Sequence, residues 1–318
     1  MKTRLIAMTM LGAALAAGAA RADQFPVSVG DDRGKTVVIP KQPRTVASIS
    51  SFGADLMGAL GRDVVGMSSM GNRKPAYLGT RAAGAVDLGA AHETSMELLT
   101  GLKPDLTIGI RTYTEMFEKK FEAIGSFVAY DLITTGNSRS AVASASAAAG
   151  FAAQGRKLNE DFDRKLSEAG KRAPGGVSAI FIWHWVDILW VHYDHYMTAD
   201  MLRALKAKNV AGASPTPQLV NPHARVMSME QLLKLNPDYI FSFQAGDAPV
   251  QAHPVWARLK AVRNGHAYRV GNQYAEVHGP IAREMVLDEM AHLLYPSVFP
   301  LPAGIPQAAR ARPLRFKQ

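Results

Sequence analysis

The apolar positions of this chain alternate between two periods, and the alternation divides it into elements. Short β-branched or aromatic runs read as strands: "TVASIS" from Thr45, "VVGM" from Val64, "LTIGI" from Leu106, "FVAY" from Phe127, "VSAIFIW" from Val177, "YIFSF" from Tyr239 and "AYRV" from Ala267. Between them lie stretches with helical spacing: "FGADLMGALG" stopped by Gly61, residues 95–102 and 115–124, "TADMLRALKAK", residues 228–235, "PVWARLKAV" and "PIAREMVLDEMAHLL". Strand and helix in alternation imply parallel sheets covered by helices. The lead-in "FPVSVGDDRGKTVVIPKQP" reads as a hairpin turned at "DDRGK". One stretch breaks the alternation. Residues 139–172 contain no strand, and Leu158, Phe162 and Leu166 fall on one helical face. The spacing predicts a single helix of about 30 residues, on the order of 45 Å long, with Gly150 and Gly155 as points of bending.

A phrase recurs on either side of that helix. "SMELLTGLKPD" (Ser95–Asp105) leads into "LTIGI", and "SMEQLLKLNPD" (Ser228–Asp238) leads into "YIFSF". Ser, Met, Glu, two leucines and Pro-Asp keep one spacing, so the chain carries a duplicated lobe rather than a solenoid. Glu97 and Glu230 each stand in the first turn of a helix, where a carboxylate favours the dipole. Thr94 is spaced to form a capping box with Glu97, whereas Met227 cannot do so for Glu230. Capping alone is therefore an imperfect account of the pair.

Composition narrows the class. Of 318 residues, 47% are hydrophobic and 20% charged, as in an ordinary globular chain long enough for two domains. "MKTR", the apolar "LIAMTMLGAALAAGAA" and "ARA" at Ala20–Ala22 read as a secretory signal peptide over residues 1–22. There is no cysteine, so thiol catalysis, thiolate metal sites and a lipoprotein attachment are not expected, and the exported chain should be free in a periplasm. The net charge is +9, and removing Lys2, Arg4 and Arg21 leaves +6. Without a basic run, this points to a small anionic ligand rather than nucleic acid. "GDDRGKT" is one residue short of a phosphate loop, "HETSM" lacks the second histidine of a zinc protease, and no G-x-S-x-G occurs, so no enzyme and no cofactor are expected.

In "PRTVASISSFGADLMGALG", "SMELLTGLKPDLTI" and "SMEQLLKLNPDYIF", with the linking helix, the chain resembles the class III periplasmic substrate-binding proteins of ABC importers. The resemblance implies two Rossmann-like α/β lobes with central parallel sheets, residues 23–138 and 173–318. A single long α-helix over 139–172 joins them, and the ligand cleft lies between. It implies a monomer that carries a ferric siderophore to an inner-membrane permease dimer, with Glu97 and Glu230 docking one lobe on each permease subunit. Haem, molybdate and tungstate are the other cargoes it suggests; an exported hydrolase is the alternative of a different class.

Ligands of open α/β sheets bind beyond the carboxyl ends of the strands, and that rule nominates the site. Ser50 and Ser51 end the first strand, Arg111 and Tyr113 follow "LTIGI", and Gln244 ends "YIFSF". Tyr274 and His278 follow "AYRVG", while Arg73 and Arg81 flank a loop after "VVGM". "WHWVDILWVHYDHYM" offers Trp183, Trp185, His195 and Tyr196 for stacking on an apolar chelate. For haem, Tyr196, His195 or Tyr113 would hold the iron. "HYDH" reads as a surface loop, so no direct metal site is expected.

Overall fold

The computed structural model describes residues 24–70, 73–185, 188–219, 223–245 and 250–315. The proposed signal peptide lies outside them. The lead-in is the expected hairpin, β1 (Val27–Gly30) against β2 (Thr36–Ile39). Arg33 pins it to the first lobe by donating to the Phe127 carbonyl at 2.7 Å, with its guanidinium over the Phe127 ring.

The first lobe contains β3 (Val46–Ile49), α1 (Ser51–Ala59), β4 (Gly66–Ser69), β5 (Val86–Ala90), α2 (Met96–Leu102), β6 (Leu106–Ile110), α3 (Arg111–Thr114), α4 (Glu118–Ile124) and β7 (Ser126–Tyr130). Its five strands are all parallel, in the order β5-β4-β3-β6-β7. Helices cover both faces, which is why β3 and β4 are buried at every position instead of alternating.

The connection differs from the single helix expected over 139–172. It is two helices, α5 (Thr135–Ala148) and α6 (Ala152–Arg172). Gly150 takes φ 86°, a left-handed conformation that ends α5 and turns the chain back. The two helices then pack antiparallel: Asn159 donates to the Arg139 carbonyl at 2.9 Å, and Arg139 to Asp163 at 2.8 Å. Gly155 does not bend α6. It makes room for α5, since a Cβ there would collide with the Ser146 side chain. The bridge between the lobes is therefore α6 alone, 21 residues and about 32 Å long.

The second lobe contains β8 (Ser178–Trp185), β9 (Ile188–His192), α7 (Met197–Ala204), β10 (Lys208–Asn209), β11 (Ala224–Val226), α8 (Met229–Leu235), β12 (Tyr239–Ala245), α9 (Lys260–Arg263), β13 (Ala267–Val270), α10 (Pro280–Leu294) and β14 (Arg312–Pro313). The strand order is β11-β9-β8-β12-β13-β14, with β10 beside the start of β8. The central β8, β12 and β13 are parallel, as expected. The edges depart from that: β9, β11 and β14 run antiparallel to their neighbours.

α10 closes the joint between the lobes. Ala282 belongs to the first lobe's core, whereas Val286, Leu287 and Met290 belong to the second's. Asp55 of α1, fully buried, accepts the first N–H groups of α10 from Ile281 (2.7 Å) and Ala282 (2.8 Å). Burial pushes its pKa up to about 6, against the pull of those two bonds. Arg283, also buried, donates to Ser138 on α5 and to Asn159 and the Leu158 carbonyl on α6, and stacks over Phe162. Ser138 in turn donates to the His278 carbonyl at 2.7 Å.

Candidate ligand-binding cleft

A cavity of about 690 Å³ opens where the carboxyl ends of both sheets meet. The first lobe supplies Ser51 and Phe52 from the start of α1, Met70 after β4, Ile110 to Tyr113 and Glu115 around α3, and Asp131 to Ile133 after β7. The second supplies Trp183 near the end of β8, His192 at the end of β9, Tyr196 just before α7, His223 before β11, and Ala275, Glu276 and His278 after β13. The floor is stitched across the lobes: Met197 N–H donates to the Ile133 carbonyl at 2.9 Å, and Thr135 to Asp200 at 2.6 Å.

Of the candidates from sequence, Ser51, Arg111, Tyr113, Trp183 and Tyr196 line this cavity, as does His278. The others lie outside its lining. Ser50 is buried as the N-cap of α1, accepting from Phe52 N–H. Tyr274 points into the core, where its hydroxyl donates to Glu289 at 3.1 Å. Gln244 donates to Gln251 at 3.2 Å on the opposite face of β12 from the aromatic row. Arg73 and Arg81 are exposed, Arg81 lying against Gly58. Trp185 is 42% exposed beyond the rim. His195 is half-buried behind the lining, its ring 6.4 Å from that of His223. His192 is a correction of the opposite kind. It is not on a surface loop but 3% exposed at the end of a strand, its ring tilted against those of Phe181 and Tyr196.

The cleft's electrostatics differ from the arginine-lined site expected. Among the described residues, Arg111 is the one lysine or arginine in the lining, and its Nε is bound to Asp131 at 2.9 Å, with Glu115 at 3.8 Å. That bond to Asp131 raises the arginine's pKa. Opposite stands Glu276, whose two carboxylate oxygens are buried without a hydrogen-bond partner. Burial, the largest influence on it, pushes its pKa up.

Beside the Ser51 hydroxyl and the Glu276 carboxylate, the lining carries nitrogens without a partner. His192 Nδ1, His223 Nδ1, His278 Nε2 and Trp183 Nε1 are all buried and unpartnered. Three of the rings surround Tyr196, at 4.2 Å (His192), 6.3 Å (His223) and 6.0 Å (His278) between centroids. Burial drives His192 down to about 3 and His278 down to about 4, and lowers His223, so the imidazoles are neutral at physiological pH. The phenols are not poised to ionise. Tyr113 is pushed up to about 12 by burial, and Tyr196 is raised further while its hydroxyl donates to the Ala275 carbonyl at 2.6 Å. Among the described residues, no cluster of three or more His, Cys, Asp or Glu side chains is arranged to hold a bare metal ion.

The family model for "periplasmic binding protein" matches residues 46–274, from the first strand of the first lobe to the rim of the cleft. The chain belongs to that family. A curated relative, "Putative ABC transporter substrate-binding lipoprotein YhfQ" of Bacillus subtilis, is 25% identical over 91% of this chain and 97% of its own. Among solved structures, the Bacillus subtilis triscatecholate siderophore-binding protein FeuA, complexed with ferri-bacillibactin, superposes with a TM-score of 0.70 at 18% identity. It covers 85% of this chain and 98% of FeuA. Staphylococcus aureus SirA, complexed with staphyloferrin B, gives 0.69 at 18% identity, covering 84% and 98%. These likenesses establish the two-lobed periplasmic binding protein fold for this chain.

The two repeated helices keep their glutamates away from the cleft. Glu97 and Glu230 are exposed, and neither enters an ion pair among the described residues. Capping is done by their neighbours. Ser95 accepts from Leu98 N–H, and Ser228 forms a capping box with Gln231. The box that spacing allowed between Thr94 and Glu97 does not form, because Thr94 bonds to Ser68 instead.

Proposed function

We propose that this periplasmic binding protein captures a ferric chelate outside the cytoplasm and delivers it to the permease of an ABC importer. The observation that carries the reading is the cavity itself. It is large enough for a chelate and far larger than a tetrahedral oxyanion, and its walls mix aromatic rings with unpartnered nitrogen atoms. Proteins of the same fold have been crystallised with ferric siderophores. The step is capture without chemistry: aromatic surface covers the ligand's apolar faces, and imidazole and indole nitrogens meet its oxygens.

The paired Arg111 and the acidic residues around it favour a chelate that is neutral or cationic over a tris-catecholate trianion. Haem is the second reading, favoured by the neutral imidazoles of His192, His223 and His278, any of which is a suitable axial ligand. Residues 1–22 act as the export signal in this reading, and the lobes are 23–138 and 173–318 about the connection 139–172. The relative YhfQ is named a lipoprotein, whereas this sequence contains no cysteine to carry a lipid. Glu97 and Glu230, one exposed carboxylate on each lobe, engage the two permease subunits.

Titration of intrinsic tryptophan fluorescence tests the assignment, since Trp183 lines the cavity. A neutral ferric tris-hydroxamate is expected to quench saturably, a ferric tris-catecholate weakly. A Soret shift with haemin would favour the second reading. No saturable response to ferric hydroxamate, catecholate, citrate or haemin would remove the iron-chelate assignment altogether.

A further inference from the structure

The cleft does not end at its lining. Strand register places Trp183 opposite Trp190 on β9, and Trp190 opposite Val226 on β11. One step toward the strand end, Trp185 lies opposite Ile188. Directly paired residues, and residues two apart on one strand, project from the same face. Trp183, Trp185, Ile188, Trp190 and Val226 therefore form a single apolar surface whose inner edge is the cavity wall. Its outer part is open: Trp185 and Ile188 are each 42% exposed and Val226 54%. Arg225, the charged residue of β11, pairs with Val191 and belongs to the other face.

Large exposed apolar side chains grouped in this way mark a surface that something covers. The chemistry inside and outside the cavity is graded. Deep within are three neutral imidazoles, a buried carboxyl and tyrosines; beyond Trp183 the residues named on this face are hydrocarbon and indole. A ligand that matches both ends is amphiphilic. We infer that this face of β8, β9 and β11 is a subsite for an apolar arm, acyl or aryl, of the bound chelate, which leaves the cavity past Trp183 and lies across Trp185, Ile188, Trp190 and Val226. The inference rests on the iron-chelate reading and adds a substrate class to it: chelates with a hydrophobic tail.

Equilibrium dialysis with two radio-iron-labelled ferric tris-hydroxamates tests it. The probes share one chelating core, one bearing an acetyl group and the other a decanoyl chain, both below the concentration at which the longer forms micelles. The wild-type protein should bind the decanoyl complex at least about tenfold more tightly, the gain expected from burying a few methylenes. The double variant Ile188→Ser/Val226→Ser should lose that gain while binding the acetyl complex as before, which also shows that it is folded. Equal wild-type affinities, or a gain that survives in the variant, would overturn the subsite. A surviving gain together with loss of uptake would make the face a permease contact instead. If neither complex binds, the iron-chelate reading falls too; equal binding of both removes the subsite alone.

Discussion

Asp105 and Thr45 tie the starts of β3 and β6 together in the first lobe, and Asp238 and Ser178 do the same for β8 and β12 in the second. Asp105 Oδ2 accepts from the Thr45 N–H and hydroxyl and from the Arg44 N–H, and the Asp105 N–H donates back to the Thr45 hydroxyl. Asp238 accepts from the Ser178 N–H and hydroxyl and donates back to it in the same way. Each aspartate stands 60 residues beyond its partner. Each also meets a lysine, Lys41 or Lys260. In both copies the residue before Pro-Asp is left-handed, Lys103 with φ 47° and Asn236 with φ 43°.

The bonds to Asp105, led by that from the Arg44 N–H, hold its carboxyl down to about 2. An unfolded aspartate titrates near 3.8, so this group stabilises the fold above that pH and the contribution fades as the pH falls toward 2. Asp105→Ala should lower the unfolding free energy at pH 7 by about 2 kcal/mol, measured by urea denaturation. Ligand affinity should not change.

The repeated glutamates and the serines beside them separate cleanly. Glu97→Ala with Glu230→Ala should leave the melting temperature and chelate affinity unchanged and abolish uptake in reconstituted vesicles. Ser228→Ala should do the reverse, costing about 1 kcal/mol through loss of the cap without affecting uptake. Normal import by the double glutamate variant would remove the docking role.

Acid should cost the fold stability through the histidines of the cleft. His192 and His278 stay neutral in the folded state down to about 3 and about 4, whereas an unfolded histidine takes its proton near 6.5. From pH 6.5 downward the unfolded chain binds protons that these sites refuse, so each costs roughly 1 kcal/mol per pH unit. Asp55, raised to about 6, works in the opposite sense: as pH falls from 6 toward 4 it gains its proton in the folded state first. Between pH 7 and pH 4 a His192→Gln/His278→Gln double variant should therefore lose less stability than the wild type, measured by urea denaturation at each pH.

The helix hairpin gives a steric test. Gly155→Val should destabilise by about 1–3 kcal/mol, because the new side chain would occupy the place of Ser146. Gly150→Ala should cost about 1 kcal/mol for its left-handed backbone.

What the sequence made legible was whatever repeats or terminates a strand. The SME phrases located α2, α8 and the strands after them, and the strand-end rule found Ser51, Arg111 and Trp183. The same rule would have found His192 had "ILWVH" been read as a strand, but the antiparallel return of β9 hides its end inside an aromatic run. His223 precedes a strand of only three residues, too short to show a period. Tyr274 and Glu276 lie around a 3-10 turn, where the facing of a side chain follows from the turn and not from any spacing. The long connection misled for a related reason. Alanine-rich sequence favours helix on either side of Gly150, and only the packing of α5 on α6 requires the break.

The joint that Asp55, Ser138 and Arg283 build around α10 allows the lobes little slack. On the carrier role proposed above, empty and loaded copies would then present nearly the same outline to the permease. An empty copy would compete with a full one for the same landing site, so uptake would follow the ratio of loaded to empty carriers, and flooding the compartment with ligand-free protein would slow import even while every loaded copy remained intact.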